Sequence, residues 1–312
     1  MAKPTSNVSD FIEPLNVNGL NGRMLHAPAA KKTNREILLV YGHHALLERW
    51  WGLVENLREF GSVTMPDLPG FGGMDSFYKI GRKPTVDEYA DYLAAIVKMR
   101  YRRRKVTIIG ISFGFLVVTR MLQRYPELTK KVDFVTSIVG FMHKTDFLFT
   151  SRQRTSYSAL AKFFALPPIS WLIRYCFLNA FIIRNLYVRM PAGKRRFLEM
   201  DPADFDTMMD FEVKLWQAND VRTHWRTTSE FLHVDNCSRQ IALPVWHVAS
   251  KGDHYFDNHV VEQHMRVVYS DYHQGIMDSK AHTPSVLGDK KELAIMVPPG
   301  LRRALRKSVG QL

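Results

Sequence analysis

The sequence predicts an α/β fold: a mostly parallel sheet flanked by helices, with a helical segment inserted late in the chain. Three observations carry this reading. The segment Glu36 to Tyr41 holds a continuous apolar run, as expected of a parallel strand covered on both faces. Strand-like and helix-like segments alternate along most of the chain, which is the pattern of parallel α/β sheets. Finally, Gly110-Ile111-Ser112-Phe113-Gly114 reads G-x-S-x-G and stands between a β-branched strand and an apolar helix. That strand–turn–helix setting is the one in which a serine is pushed out as a nucleophile.

The elements follow in order. Residues 11–30 read as a lead-in hairpin, with Asn18-Gly19 and Asn21-Gly22 as turn signals. The strand ending at Tyr41 is followed by the loop Gly42-His43-His44. Leu46 to Phe60, carrying Trp50, Trp51, Leu53, Val54 and Leu57, reads as a helix. Ser62 to Pro66 is a second strand, and Asp67 to Gly73 is a glycine-rich loop. Thr85 to Met99 is a helix in which Thr85 caps and Glu88 stands at the capping-box position. Lys105 to Ile109 is the strand before the serine, and Phe115 to Arg124 the helix after it. Val132 to Val139, Leu243 to Ser250 and His264 to Tyr269 complete the strands. Between Gly140 and Ala242 the alternation stops, and the chain becomes helical, aromatic and irregular.

Bulk composition narrows the classes. A chain of 312 residues with 46% hydrophobic content supports one large core, or a core with an inserted subdomain. The 2 cysteines, Cys176 and Cys237, give neither a disulfide framework nor a zinc site, and fit a reducing compartment. The polar N-terminus has no apolar signal-peptide core, and no segment approaches the roughly 18 uninterrupted apolar residues of a spanning helix. A cytoplasmic protein is the expectation. The net charge of +13 fits nucleic acid, an anionic lipid surface or a merely basic proteome. No zinc knuckle, RNP motif or helix-turn-helix signature supports nucleic acid, so none is expected.

Four landmarks then come in a telling order. They are Tyr41-Gly42-His43-His44; Asp67-Leu68-Pro69-Gly70-Phe71-Gly72; the Ser112 turn; and two late loops carrying Asp253 and His282. Over about residues 30–300 the chain resembles the α/β-hydrolase superfamily in its serine-nucleophile, esterase- or lipase-like form with a helical cap. The second landmark is similar to that family's D-x-P-G-F-G loop. Ser250-Lys251-Gly252-Asp253 resembles its acid loop, and His282 lies before a final helix as the family's histidine does. The resemblance implies a core of residues 1–140 and 243–312 and a cap of residues 141–242.

The chemistry calls for the same residues. A serine hydroxyl is a poor nucleophile without a base beside it. An imidazole has a suitable pKa, and a carboxylate fixes its tautomer. In this fold the order is serine, acid, histidine, which gives Ser112, Asp253 and His282. By resemblance, the oxyanion formed in acyl transfer is held by the backbone amides of His43 and Phe113, and Gly42, His44 and Phe71 line the substrate side. Two departures stand out. Tyr41 replaces the usual histidine, and Phe115 occupies a position that is usually small.

Competing residues have simpler readings. Asp257, Asp271 and Asp278 read as loop or helix-cap residues. His254, His259, His264 and His273 read as surface or strand-edge residues, and His247 as a hydrogen-bonded core histidine. No H-x-E-H or H-E-x-x-H spacing occurs, so no metal or cofactor is implied.

The inserted segment sets the substrate question. Residues 151–198 carry nine basic residues, nine aromatics and no Asp or Glu. That composition fits an ordinary cap whose basic half pairs with the acidic residues of 199–220. It also fits a lid over an apolar acyl pocket or an interfacial membrane segment. The expected activity is hydrolysis of a carboxylic ester with an apolar acyl group, a lysophospholipid or monoacylglycerol being the sharper expectation. Acyl transfer, thioester hydrolysis and C–C hydrolysis use the same triad, and a non-catalytic ligand-binding protein is the alternative of a different class. The expected partners are a small ester or lipid and, peripherally, an anionic membrane.

Overall fold

The computed structural model describes residues 7–189, 202–283 and 287–307. Eight strands form one sheet: β1 (Ile12–Val17), β2 (Leu20–Ala27), β3 (Glu36–Val40), β4 (Ser62–Pro66), β5 (Val106–Ile111), β6 (Val132–Ile138), β7 (Ile241–Ser250) and β8 (Tyr269–Met277). Their spatial order is β1-β2-β4-β3-β5-β6-β7-β8. The pairs β1–β2 and β2–β4 are antiparallel, and all the others are parallel. Parallel strands put their carboxyl ends on one edge, where the connecting loops build ligand sites in open α/β sheets.

Burial explains why the central strands read as continuous apolar runs. Every residue of β5 is buried, as are Ile37 to Val40 of β3, because helices cover both faces. Those helices are α1 (Trp51–Leu57), α2 (Val86–Arg100) and α3 (Phe113–Arg124). The side chain of Thr85 accepts from the Glu88 amide and caps α2 as the sequence predicts.

Three local expectations are corrected. Leu46 to Phe60 is a 3₁₀ turn, Leu47–Trp50, followed by the short α1. Asn21-Gly22 lies inside β2, the hairpin turning at Asn18-Gly19 alone. His264 to Tyr269 is not a strand. Residues Asn258–Val268 form a helix, and the strand β8 begins at Tyr269. Val261, Met265 and Val268 recur at helical spacing and are buried, and the Asp257 side chain caps the His259 and Val260 amides. The strand was hidden because most of β8 is exposed or half-buried and carries polar residues.

Between β6 and β7 the chain forms α4 (Ser151–Phe164), α5 (Pro167–Leu172), a π turn (Ile173–Phe177), α6 (Ala180–Arg189), α7 (Pro202–Ala218) and α8 (Val221–Phe231). The two ends of this excursion lie side by side: the Asn236 amide donates to Met142 O at 3.0 Å, and the Lys144 amide to Val234 O at 2.8 Å. The excursion has a small core of its own, in which Ile183, Phe205, Met208, Met209, Phe211 and Leu215 pack with Leu46. The remaining helices are α9 (Asn258–Val268) and α10 (Pro299–Arg306).

Candidate active site

The site begins with a strained turn. Ser112 joins β5 to α3 with φ +50° and ψ −117°, a conformation that L-residues rarely adopt and that the surrounding structure must hold in place. Its amide is tied to Ile138 O at 2.9 Å. The flanking glycines are dictated by close approach. A Cβ on Gly110 would lie 2.4 Å from Phe115 Cα, and one on Gly114 would lie 2.2 Å from Val40 O. Phe115 is fully buried and stacks on Tyr269 at 5.9 Å, so this departure from the family pattern fills the space between α3 and the sheet.

Two loops from the same sheet edge meet this serine. His282, beyond β8, places Nε2 3.1 Å from Ser112 Oγ. Asp253, beyond β7, places Oδ2 2.7 Å from His282 Nδ1. A carboxylate only accepts, so Nδ1–H donates to Asp253 and Nε2 is left to accept from the serine hydroxyl. The other oxygen of Asp253 accepts from the Tyr255 and Phe256 amides at 2.9 and 3.2 Å. Burial works against the charge on Asp253, but the His282 ring and these two amides outweigh it and hold its carboxyl below the usual range. The expected Ser112, Asp253 and His282 are therefore together, in bonding order.

The loop after β3 closes the other side. Gly42 is buried against the serine, since a Cβ there would sit 3.3 Å from Ser112 Cβ. Among the described residues, neither the His43 nor the Phe113 amide donates a hydrogen bond. The His43 ring lies edge-on to Phe113 and Phe71, at 5.8 and 5.2 Å between centroids. Its Nε2 lies 2.7 Å from Thr227 Oγ1, and that hydroxyl is also 2.8 Å from Thr223 O, an acceptor only. The threonine therefore donates to the carbonyl and accepts from His43. Burial pushes the His43 pKa down to about 4, so the ring is neutral at neutral pH. Phe71 is fully buried behind it.

His44, expected to line the substrate side, packs against Trp216 and His224, and its Nδ1 accepts from Asn219 at 3.0 Å. Asn219 also accepts from the Gly72 amide at 2.8 Å, so one residue of the excursion between β6 and β7 ties together two of the landmark loops. Tyr41 answers for the missing histidine: its hydroxyl donates to Asp67 at 2.9 Å and accepts from the Leu68 amide at 2.7 Å. Asp67 is fully buried and pairs with Arg23 at 3.0 Å. Its pKa is pushed up to about 8 by burial, which Arg23 and Tyr41 only partly offset.

Other histidines fall as follows. His247 is a core residue bonded to Ser137 Oγ at 2.9 Å, as expected. His264 departs from a surface or strand-edge position: it sits on α9 against the fully buried Asp146, which also accepts from the Met142 and His143 amides where the inserted segment begins. Among the described residues no three His, Cys, Asp or Glu side chains converge as metal ligands.

Sequence reasoning missed an aromatic wall. Phe256 and Tyr255 flank His282, each at 5.3 Å. Phe256 stacks on Phe141 at 4.6 Å, and Phe141 meets Phe231 at 5.9 Å. Phe147 contacts Phe256 and Phe231 at 4.8 and 5.9 Å. These residues come from the entry to the inserted segment, from α8 and from the acid loop. No local motif links them; their aromatic character was the only available signal.

The family model described as the alpha/beta hydrolase fold matches residues 36–263. The chain belongs to the α/β-hydrolase fold family. Among curated proteins it is 23% identical over 246 residues to the biotin biosynthesis bifunctional protein BioHC of Teredinibacter turnerae, covering 74% of this chain and 39% of that protein. It is 26% identical over 117 residues to Methylesterase 1 of Arabidopsis thaliana, covering 37% of this chain and 43% of that protein. The chain thus spans about two fifths of the length of these relatives. Among solved structures, a thermophilic esterase from Thermogutta terrifontis superposes with a TM-score of 0.64 at 14% identity, covering 95% of this chain and 98% of that one. This last likeness is one of fold.

Proposed function

We propose that this α/β-hydrolase is a serine hydrolase that cleaves a carboxylic ester with an apolar acyl group through an acyl-enzyme. The observation that carries the reading is the bonded series Ser112 Oγ, His282 Nε2, His282 Nδ1 and Asp253 Oδ2, with spacings of 3.1 and 2.7 Å, at the carboxyl edge of the sheet. In this reading Ser112 Oγ attacks the ester carbonyl carbon while His282 takes the hydroxyl proton. The carbonyl oxygen becomes an oxyanion, and the free amides of His43 and Phe113 receive it. Collapse expels the alkoxide, which His282 protonates. A water molecule, deprotonated by His282, then attacks the acyl-enzyme and releases the acid and Ser112. Asp253 stabilises the imidazolium in both halves.

The neutral His43 ring supports the oxyanion loop from behind through Thr227. Residues 141–242 act as a cap that covers the site. The wall of Phe141, Phe147, Phe231 and Phe256 favours an apolar acyl chain over a peptide or sugar, and a lysophospholipid or monoacylglycerol fits that chemistry.

The test is labelling of folded protein with a fluorophosphonate probe and mapping of the adduct by mass spectrometry. An adduct on Ser112, absent from Ser112→Ala, is the expected result, and its absence overturns the hydrolase reading. Turnover of p-nitrophenyl esters tests the acyl side. Each buried methylene is worth about 0.8 kcal/mol, so octanoate is expected to exceed acetate in kcat/KM by at least about tenfold. A preference for acetate overturns the apolar acyl assignment alone.

A further inference from the structure

Apolar side chains on the molecule's surface are concentrated in one stretch. Among the described residues, eleven of the eighteen exposed large hydrophobics lie between Leu148 and Leu186, on α4, α5, the π turn and α6 and just before them. The most exposed are Phe181 at 77%, Tyr175 at 69% and Trp171 at 60%. Water-facing aromatics at this density call for a covering partner.

Charge identifies that partner. Residues 147–198 contain no Asp or Glu. If the stretch were an ordinary cap, its cations would pair with the acidic residues of 199–220. Arg184 does so, with Asp206 and Asp210. Arg174 instead donates to the Trp216 and Gln217 carbonyls. Arg152 and Lys162 are exposed, and among the described residues neither has an ion-pair partner. Of the other charges in the two halves, Lys194, Arg195, Arg196, Glu199 and Asp201 lie outside the described residues. A second copy of the chain would bring two acid-free basic faces together, which electrostatics disfavours. An anionic lipid surface accepts both features. Aromatic rings settle at the headgroup level while Lys and Arg meet the phosphates.

We propose that the face formed by α4, α5 and α6 docks on an anionic lipid bilayer, lying in the interface rather than crossing it. No helix among the described residues is long and apolar enough to cross. A file of aromatic contacts connects this face to the catalytic histidine. Exposed Tyr157 meets Phe149 at 5.1 Å, Phe149 meets Phe147 at 5.6 Å, Phe147 meets Phe256 at 4.8 Å, and Phe256 meets His282 at 5.3 Å. If the hydrolase reading above holds, this file is the route by which an acyl chain leaves the bilayer for Ser112. The docking itself does not rest on that reading.

The experiment is flotation of the full chain with phosphatidylcholine vesicles prepared with and without phosphatidylserine. Co-flotation with the phosphatidylserine vesicles, weakened by salt and by omission of phosphatidylserine, is expected. Each cation near an anionic surface contributes about fivefold in partitioning, so Arg152→Glu with Lys162→Glu is expected to lower the bound fraction by well over that factor. Trp171→Ser with Phe181→Ser is expected to lower it similarly, while both double variants keep wild-type turnover of a soluble short-chain ester. Ser112→Ala is expected to float as the wild type does. Absence of flotation, or flotation indifferent to both double variants, overturns the docking whatever the probe reports at Ser112. Normal flotation without a probe adduct overturns the hydrolase reading alone. Sedimentation showing a dimer that Trp171→Ser with Phe181→Ser dissolves, without vesicle binding, assigns the face to a second copy and also overturns the docking.

Discussion

The segment from β5 through α3 and the segment from α4 through α6 are both rich in apolar residues, and they meet opposite fates. In the first, Phe113, Phe115, Leu116, Val117 and Val118 are all buried. In the second, Trp171, Tyr175, Phe177 and Phe181 face outward, and Ser158, Ala161, Ser170 and Ile183 are among the few buried side chains. The difference lies in what surrounds them. A central parallel strand and its helix are covered on every side, so any apolar residue there adds to the core. Helices α4 and α5 turn one face to α8, and small residues suffice for that contact, Ser158 lying 3.1 Å from Ser229 across it. Their larger residues are left for something else. The lesson is that apolar content states how much surface needs cover, and the topology states whether the chain supplies that cover itself.

Three substitutions test this contrast, from the largest expected effect to the smallest. Asp253→Asn keeps the shape of the site but removes the acceptor that fixes the His282 tautomer. The expected outcome is a loss of about 10⁴-fold in kcat on a soluble ester with an unchanged melting temperature. A loss below about tenfold would mean that another acid serves His282.

Tyr41→Phe probes the covered region through its buried polar links. It leaves the Leu68 amide and the Asp67 carboxyl without their shared hydroxyl. A destabilisation of about 1–3 kcal/mol in denaturant unfolding is expected, with kcat falling more than KM rises because the loop proposed to receive the oxyanion is anchored there. The same cluster gives a pH dependence. The folded pKa of Asp67, about 8, lies above its unfolded value. Its contribution to stability is therefore full below the unfolded value and is lost as pH rises through about 8. The melting temperature is expected to fall between about pH 4 and 8, and to fall less in Asp67→Asn. An identical slope in the variant would place the titration elsewhere.

Trp171→Ala belongs to the uncovered region. With 60% of its surface exposed, its removal is expected to shift unfolding by no more than about 0.5 kcal/mol. A loss of several kcal/mol would show that the ring supports the packing of α5 rather than facing a partner.

Much of the fold was legible because it is written locally. The apolar run of β3, the Thr85 cap and the G-x-S-x-G turn each lie within a few residues of sequence. The strand β8 was not legible, because an edge strand facing water carries polar residues and α9 before it borrows the apolar ones. Ser112, Asp253 and His282 were found by chain order and chemistry. The links Thr227–His43, Asn219–Gly72 and Tyr41–Asp67 were not, since threonine, asparagine and tyrosine have many ordinary uses and nothing local marks these three.

By itself the sequence determined the family, the serine turn and the chain order of Ser112, Asp253 and His282, because each depends on short-range sterics or on residue chemistry that no neighbour supplies. Only the tertiary structure decided that Ser112, His282 and Asp253 meet within hydrogen-bonding distance, that Tyr41 ties the loop beside them to Asp67, and which faces of α4 to α6 look outward. Those outcomes join residues 26 to 170 positions apart, or rest on which side of a helix finds cover. Both are settled by how the sheet brings distant loops to one edge, where composition and periodicity have no reach.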